Sequence, residues 1–220
     1  MQEAVLSLMP FIVSGIALVI SITVHEFCHG LAAYVQGDTT AQDHGRLTLN
    51  PIAHIDPVGT ILVPLIMILS HGPVIGWAKP VPFNPYQLKN QRFGPLWVAL
   101  AGPFSNFVLF VVSGFLLKFV LAAQGKESFL PLFLSVMVIV NFVLCLFNLI
   151  PISPLDGSRI LHAVLPLRFS HIVQWLDAYG PFLLLGILFL EYATFPFINI
   201  SIGISFGWAT QVLGIPVLAF

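Results

Sequence analysis

From Ala4 to Val24 no residue of this chain carries a charge, and the same holds from Pro95 to Leu117 and from Phe129 to Ile150. Ala178–Leu190 and Tyr192–Phe220 add a further apolar pair, interrupted by Glu191 and Pro196. A helix needs about 20 predominantly apolar residues to cross a hydrocarbon core about 30 Å thick, and each unbroken run meets that length. Of the 220 residues, 58% are hydrophobic and 8% charged, and the mean hydropathy is +0.98. Soluble domains carry about 25% charged residues, so a cytosolic enzyme, a secreted domain and a disordered chain are all excluded. A net charge of −1 provides no basic surface for nucleic acid. Cys28 and Cys145 both sit in apolar runs and make no disulfide framework. The first run lacks a basic flank and exceeds the length of a secretory core, so it reads as a retained helix.

The stretch Ile61–Leu69 is apolar but short, and Pro57, Gly59, Pro64, Gly72, Pro73 and Gly76 crowd it. At about 1.5 Å per residue it reaches roughly 14 Å, which fits a re-entrant or short inserted segment better than a span. With that segment not crossing, Arg46, Lys79, Lys89, Arg92, Arg159 and Arg168 fall on one side, and Lys118 and Lys126 on the other. The positive-inside rule then places the richer side in the cytoplasm and the amino terminus outside. The alternation of Arg46, Thr48 and Asn50 with Leu47 and Leu49 reads as a short strand, and Trp77–Phe83 as a second extended segment. Either could serve as an edge for an extended substrate or simply form a surface hairpin. The expected fold is an all-α polytopic membrane protein. It has about five spanning helices, the re-entrant or short inserted segment and a small β-hairpin region, and residues 1–220 form a single domain.

The polar residues inside these runs carry the functional information. An ionisable group at mid-bilayer costs about 2.5–3.5 kcal/mol on insertion scales, which makes it a functional candidate. The first span ends in Val24-His25-Glu26-Phe27-Cys28-His29-Gly30. At about 100° per residue, His25 and His29 lie about 40° apart, one turn above the other. Two imidazoles so placed can grip one metal ion. Glu26, offset by about 60° from His29, stands beside the metal rather than on it. This is the H-E-x-x-H arrangement of zinc metalloproteases. A pair of core histidines satisfied by hydrogen bonds is the plain structural reading, and Cys28 reads as a small apolar filler.

A catalytic zinc takes three protein ligands and keeps one position open. Asp156 follows a stretch broken by Pro151 and Pro154, and Gly157 gives the backbone freedom to turn it inward. Irregular backbone at membrane depth is viable only when it lines a cavity or is buried in protein. Asp156 therefore reads either as the third ligand or as an ordinary N-cap of the helix that follows. His54 and Asp56 read as loop caps.

His25-Glu26-Phe27-Cys28-His29 in a first span, Ala101-Gly102-Pro103-Phe104-Ser105-Asn106 in the next, and Asn148 to Asp156-Gly157 in the third resemble the site-2 protease family of intramembrane zinc metalloproteases. Gly45–Pro51 and Gly76–Asn84 are similar to the short prokaryotic members without PDZ or CBS domains. The resemblance implies one zinc per chain held by His25, His29 and Asp156, with Glu26 as catalytic base for a water that attacks the peptide carbonyl. It also implies a transmembrane protein substrate, a lipid bilayer as surroundings, and a prokaryotic cell membrane with the site toward the cytoplasm. Asn148 is expected to bind substrate or the oxyanion. Asn106 is a second substrate-binding candidate, although such a residue more often makes a helix–helix contact. The competing function is a non-catalytic zinc-binding membrane protein or a metal-ion carrier. A carrier would line a polar path across several spans, and here the ionisable groups cluster at one depth.

Overall fold

Apolar residues run around every face of Gln2–Val35, and the computed structural model folds this stretch into one long helix, α1. The structure describes residues 2–70, 76–124, 128–193 and 197–216. After a short turn helix α2 (Thr40–Asp43) come a helical segment Pro57–Leu62 that runs into α3 (Val63–Leu69), then α4 (Gly94–Gln124) and α5 (Phe129–Asn148). A broken stretch leads to α6 (Asp156–Val164), and α7 (Ser170–Ala193) and α8 (Phe197–Leu213) complete the chain. Among the described residues four helical stretches are long and apolar enough to cross a membrane: Leu8–Val35, Gly94–Ala123, Phe129–Asn148 and Ser170–Glu191. The chain is a multi-pass membrane protein.

The helices α1, α4 and α5 form the bundle that carries the site. Val13 and Ala17 of α1 pack on Val136 and Met137 of α5. Phe110 and Leu117 of α4 pack on Leu134, Val138 and Phe142 of α5, with Ile215 beyond α8 closing the cluster. Lipid offers apolar groups the same surroundings as the core does, so helix contact rests on close packing and on polar bonds between helices. Large exposed side chains such as Phe11, Phe104, Phe119 and Phe182 are the expected lipid-facing surface.

Two expectations about the fold need correction. Among the described residues there is no strand, so the small β-hairpin region is absent there. The polar groups of 46–50 are consumed locally instead. Arg46 N–H donates to Ala41 O at 2.8 Å, Thr48 O accepts from His54 Nε2 at 2.9 Å, and Asn50 Oδ1 accepts from Ile52 N–H at 3.1 Å. Alternation extends a chain, but a ladder needs a second chain alongside with free donors and acceptors. Among the described residues a fifth span is also not found at the expected length. Residues 194–196 lie outside the described residues, and α8, with 17 residues, covers about 25 Å of a core about 30 Å thick. Pro57–Leu69 forms a short apolar helix. Asp56 caps it by accepting from Val58 N–H and Gly59 N–H.

The loop after α1 is tied to the rest by a residue the sequence pattern does not single out. Asp38 is fully buried. Its carboxylate accepts from Thr40 N–H and the Thr40 hydroxyl, and from Asn84 N–H at 2.6 Å. Burial opposes ionisation of this carboxyl, but the hydrogen bonds from Thr40 and Asn84 outweigh it and hold the group below the usual carboxylate range. A depressed pKa contributes stability above the unfolded value of about 3.9 and loses it as pH falls further. Asp38→Ala is expected to destabilise the folded protein by about 1–3 kcal/mol at neutral pH. In thermal unfolding of the purified protein, the gap from wild type should shrink progressively below about pH 4.

Candidate metal centre

The last turns of α1 inside the bundle bring His25 and His29 onto one face, against α4. Their two Nε2 atoms lie 3.0 Å apart. Asp156, the first residue of α6, meets them from the other side of the bundle, its Oδ2 at 3.0 Å from His25 Nε2 and 3.1 Å from His29 Nε2. The three residues are 7%, 7% and 9% exposed.

The other ring nitrogens decide what this triangle is for. His29 Nδ1–H donates to the Val98 carbonyl of α4 at 2.7 Å, which fixes its proton on Nδ1. For His25 the same conclusion follows through a buried chain of amides. The Met137 carbonyl accepts from Asn141 Nδ2 at 2.8 Å, so Asn141 turns its Oδ1 to Asn106. Asn106 Nδ2 donates to that oxygen at 2.9 Å and to Ser21 O at 3.4 Å, so Asn106 turns its own Oδ1 to His25. That oxygen lies 2.6 Å from His25 Nδ1, which must therefore carry the proton. Asn141 Nδ2 also donates to Ser21 Oγ at 2.9 Å, and the Ser21 hydroxyl in turn donates a hydrogen bond to Ala17 O. Backbone carbonyls thus set the polarity of the whole seam and place a hydrogen on Nδ1 of both histidines, which in the neutral imidazole leaves Nε2 as the lone-pair atom.

Each Nε2 then presents a lone pair to the other and to a carboxylate oxygen. Three electron-rich atoms about 3 Å apart in an apolar interior repel unless a cation sits among them. Ligands at about 2.0–2.1 Å from a tetrahedral zinc lie roughly 3.3 Å from one another. The observed spacings of 3.0–3.1 Å match that donor set closely, and the residues present fit a zinc ion.

Close packing builds the triangle. A Cβ on Gly102 of α4 would stand 2.5 Å from the His29 ring and 2.6 Å from that of His25, so only glycine lets α4 come this near. Gly157 has the same role on α6, and this corrects the reading of it as a source of backbone freedom. A Cβ there would run into the carbonyls of Leu149 and Ile150. Its smallness lets the broken stretch after α5 fold against the start of α6 and deliver Asp156.

Comparison with known proteins supplies the class. Residues 124–185 match the model of Peptidase family M50. Over 204 residues, 88% of both chains, the sequence is 41% identical to "Putative zinc metalloprotease YwhC" of Bacillus subtilis. The chain belongs to peptidase family M50. This M50 metallopeptidase is also 32% identical over 138 residues to "Putative zinc metalloprotease Rip2" of Mycolicibacterium smegmatis, a match covering 62% of the chain and 51% of that protein. No solved structure matches significantly.

Glu26, Asn148 and Arg159 line one cleft of about 540 Å³ with the three candidate ligands. Glu26 Oε2 accepts from Val81 N–H at 2.9 Å, which draws the Trp77–Val81 segment across the cleft. Asn148 donates within its own helix to Leu144 O at 3.0 Å and still borders the cleft. Asn106 departs from the substrate-binding expectation. It is fully buried, and its polar atoms are engaged by His25, Asn141 and Ser21. His54 is turned to Thr48 O and Asp56 to its cap, so neither joins the triangle.

In purified M50 protein, Asn106→Leu should weaken zinc about 10–100-fold in a chelator competition, as losses of such supporting partners do. Asn106→Asp, which keeps an acceptor for His25 Nδ1, should recover most of that affinity. Equal affinity in wild type and Asn106→Leu would refute the supporting role.

Proposed function

We propose that this metallopeptidase cleaves transmembrane segments of membrane-protein substrates within the bilayer. Its zinc would be held by His25, His29 and Asp156, and Glu26 would act as general base. The observation that carries this reading is the meeting of three ligand atoms within 3.1 Å, supplied by a membrane-spanning helix and a distant aspartate, beside a carboxylate that shares their cleft. A zinc ion bound there supplies a Lewis acid that polarises the scissile carbonyl and acidifies water.

The chain's own groups do the rest. Glu26 takes a proton from the attacking water and hands it to the departing amine, so that one carboxylate serves both halves of the hydrolysis. Its contact with Val81 N–H holds the carboxylate in the cleft. In this reading the amide of Asn148, which lines the cleft at the end of α5, would donate to the carbonyl oxygen as negative charge develops there. A substrate helix must unwind locally before its carbonyl can be reached, because its own ladder covers that group.

The extended segment proposed as a pairing edge has little to offer in donors. Trp77 N–H donates to Gly59 O at 3.1 Å, Lys79 N–H to His54 O at 2.9 Å, and Val81 N–H to Glu26. Alternation assigns residues 78, 80 and 82 to the opposite edge, and two of those are prolines without an N–H. This segment serves the enzyme as a cover over the cleft rather than as a strand edge for substrate.

The basic side of the chain, with the loops that bear Arg46, Lys79, Lys89, Arg92, Arg159 and Arg168, faces the cytoplasm in this reading, and the cleft opens toward it. Glu26→Gln should retain zinc while cleavage of a model transmembrane substrate falls about 10²–10⁴-fold. Undiminished cleavage by the zinc-loaded variant would reject the mechanism. Asn148→Ala should lower kcat about 10²–10³-fold with a smaller change in KM, as removal of an oxyanion donor does.

A further inference from the structure

One turn beyond Asp156 on α6, Arg159 faces two spaces at once. It lines the metal cleft and also a neighbouring cavity of about 560 Å³, and Pro154 is a wall of both. The second cavity is bounded by Arg92 from the turn before α4, by Ser158 and His162 of α6 and by Asp177 of α7. Its charges do not balance. His162 Nε2 lies 3.1 Å from Asp177 Oδ1, so the carboxylate on its wall already has a partner. Arg159 stacks over Phe83 at 5.1 Å and Arg92 over Phe93 at 5.1 Å, and among the described residues neither guanidinium has a carboxylate within ion-pair distance.

Guanidinium groups remain charged at every relevant pH and present a planar fork of donors that fits a carboxylate with two parallel bonds. Stacking on an aromatic ring occupies the face of the fork and leaves its edge donors for a ligand. Two such groups facing one cavity form a receptor for an anion.

We propose that this cavity is a specificity subsite that receives an acidic side chain of the substrate, close in sequence to the bond being cut. The inference rests on reading the adjoining cleft as the proteolytic site. The shared wall at Pro154 and Arg159 favours substrate over other anions, because a chain lying across the metal centre runs directly past Arg159. The class of substrate selected is then a membrane-spanning segment carrying an Asp or Glu near the scissile peptide.

The test uses the full-length protein in phosphatidylcholine vesicles and a set of model transmembrane substrates. Each substrate carries a single Asp, Asn or Lys at successive positions on both sides of the scissile bond. For wild type, the ratio of kcat/KM for Asp over Asn should rise about tenfold at one or two adjacent positions. The ratio should fall to near one in Arg92→Gln combined with Arg159→Gln, and Arg159→Glu should shift preference to Lys. Because each ratio is taken within one variant, a change in overall activity does not alter it. A wild-type ratio of one at every position, with the uncharged substrates still cleaved, overturns the subsite and leaves the protease intact. Failure of wild type to cleave any substrate rejects the protease reading, and the subsite with it. If the ratio is one but activity rises on adding phosphatidylglycerol, and this rise is lost in the double variant, the cavity belongs to a lipid headgroup and the proposal is wrong.

Discussion

Two imidazole lone pairs and a carboxylate oxygen meet at about 3 Å from one another inside an apolar bundle, and the rest of the architecture follows from having to hold them there. Isolated polar groups at this depth would hydrogen-bond one another and be satisfied. Here each histidine has already committed its proton elsewhere, to the Val98 carbonyl and to Asn106. In the neutral imidazoles the inward-facing nitrogens carry no hydrogens, and a cation among them relieves the mutual repulsion. The helices α1, α4 and α5 keep this arrangement through a polar seam that runs from Ser21 through Asn141 and Asn106 to His25. In surroundings where lipid and side chain are equally apolar, such bonds between helices specify one packing among many.

The sequence motifs acquire physical content from this. The run Ala101-Gly102-Pro103 to Asn106 in α4 supplies two things one turn apart. Its glycine removes the Cβ that would collide with both imidazole rings, and its asparagine fixes the nitrogen on which His25 carries its proton. The prolines and Gly157 after α5 end one helix and start another within a few residues, so that Asp156 arrives at the level of α1's histidines. Membrane-depth backbone of this irregular kind survives because it is enclosed by protein and borders the cleft.

Much of this was legible in the linear chain, and the failures share one cause. Charge-free runs of sufficient length gave α1, α4 and α5, and helical spacing alone placed His25 above His29. Pairing Asp156 with them required either the resemblance or the structure, since no local period links positions so far apart. Asn106 was visible as a polar residue in a span, yet its partner was not, because partners across helices leave no trace in a single sequence. The strand at Gly45–Asn50 failed for the same reason: alternation describes one chain, and a ladder needs two. Asp38 carries no signal in the linear chain, because an Asp before Thr-Thr looks like any loop cap and its bond to Asn84 joins residues far apart in sequence.

The stretch from Trp77 to Pro82 protects itself by composition. Every second amide is turned toward the protein body, and proline occupies two of the three intervening places. An unwound guest chain in the cleft therefore finds carbonyls but scarcely any hydrogens with which to zip onto this wall. Such a guest would be bound loosely along its backbone. Under the proposed hydrolysis, that wall would hold the two fragments by few backbone bonds, and turnover would be spared the slow peeling that a fully paired ribbon would impose.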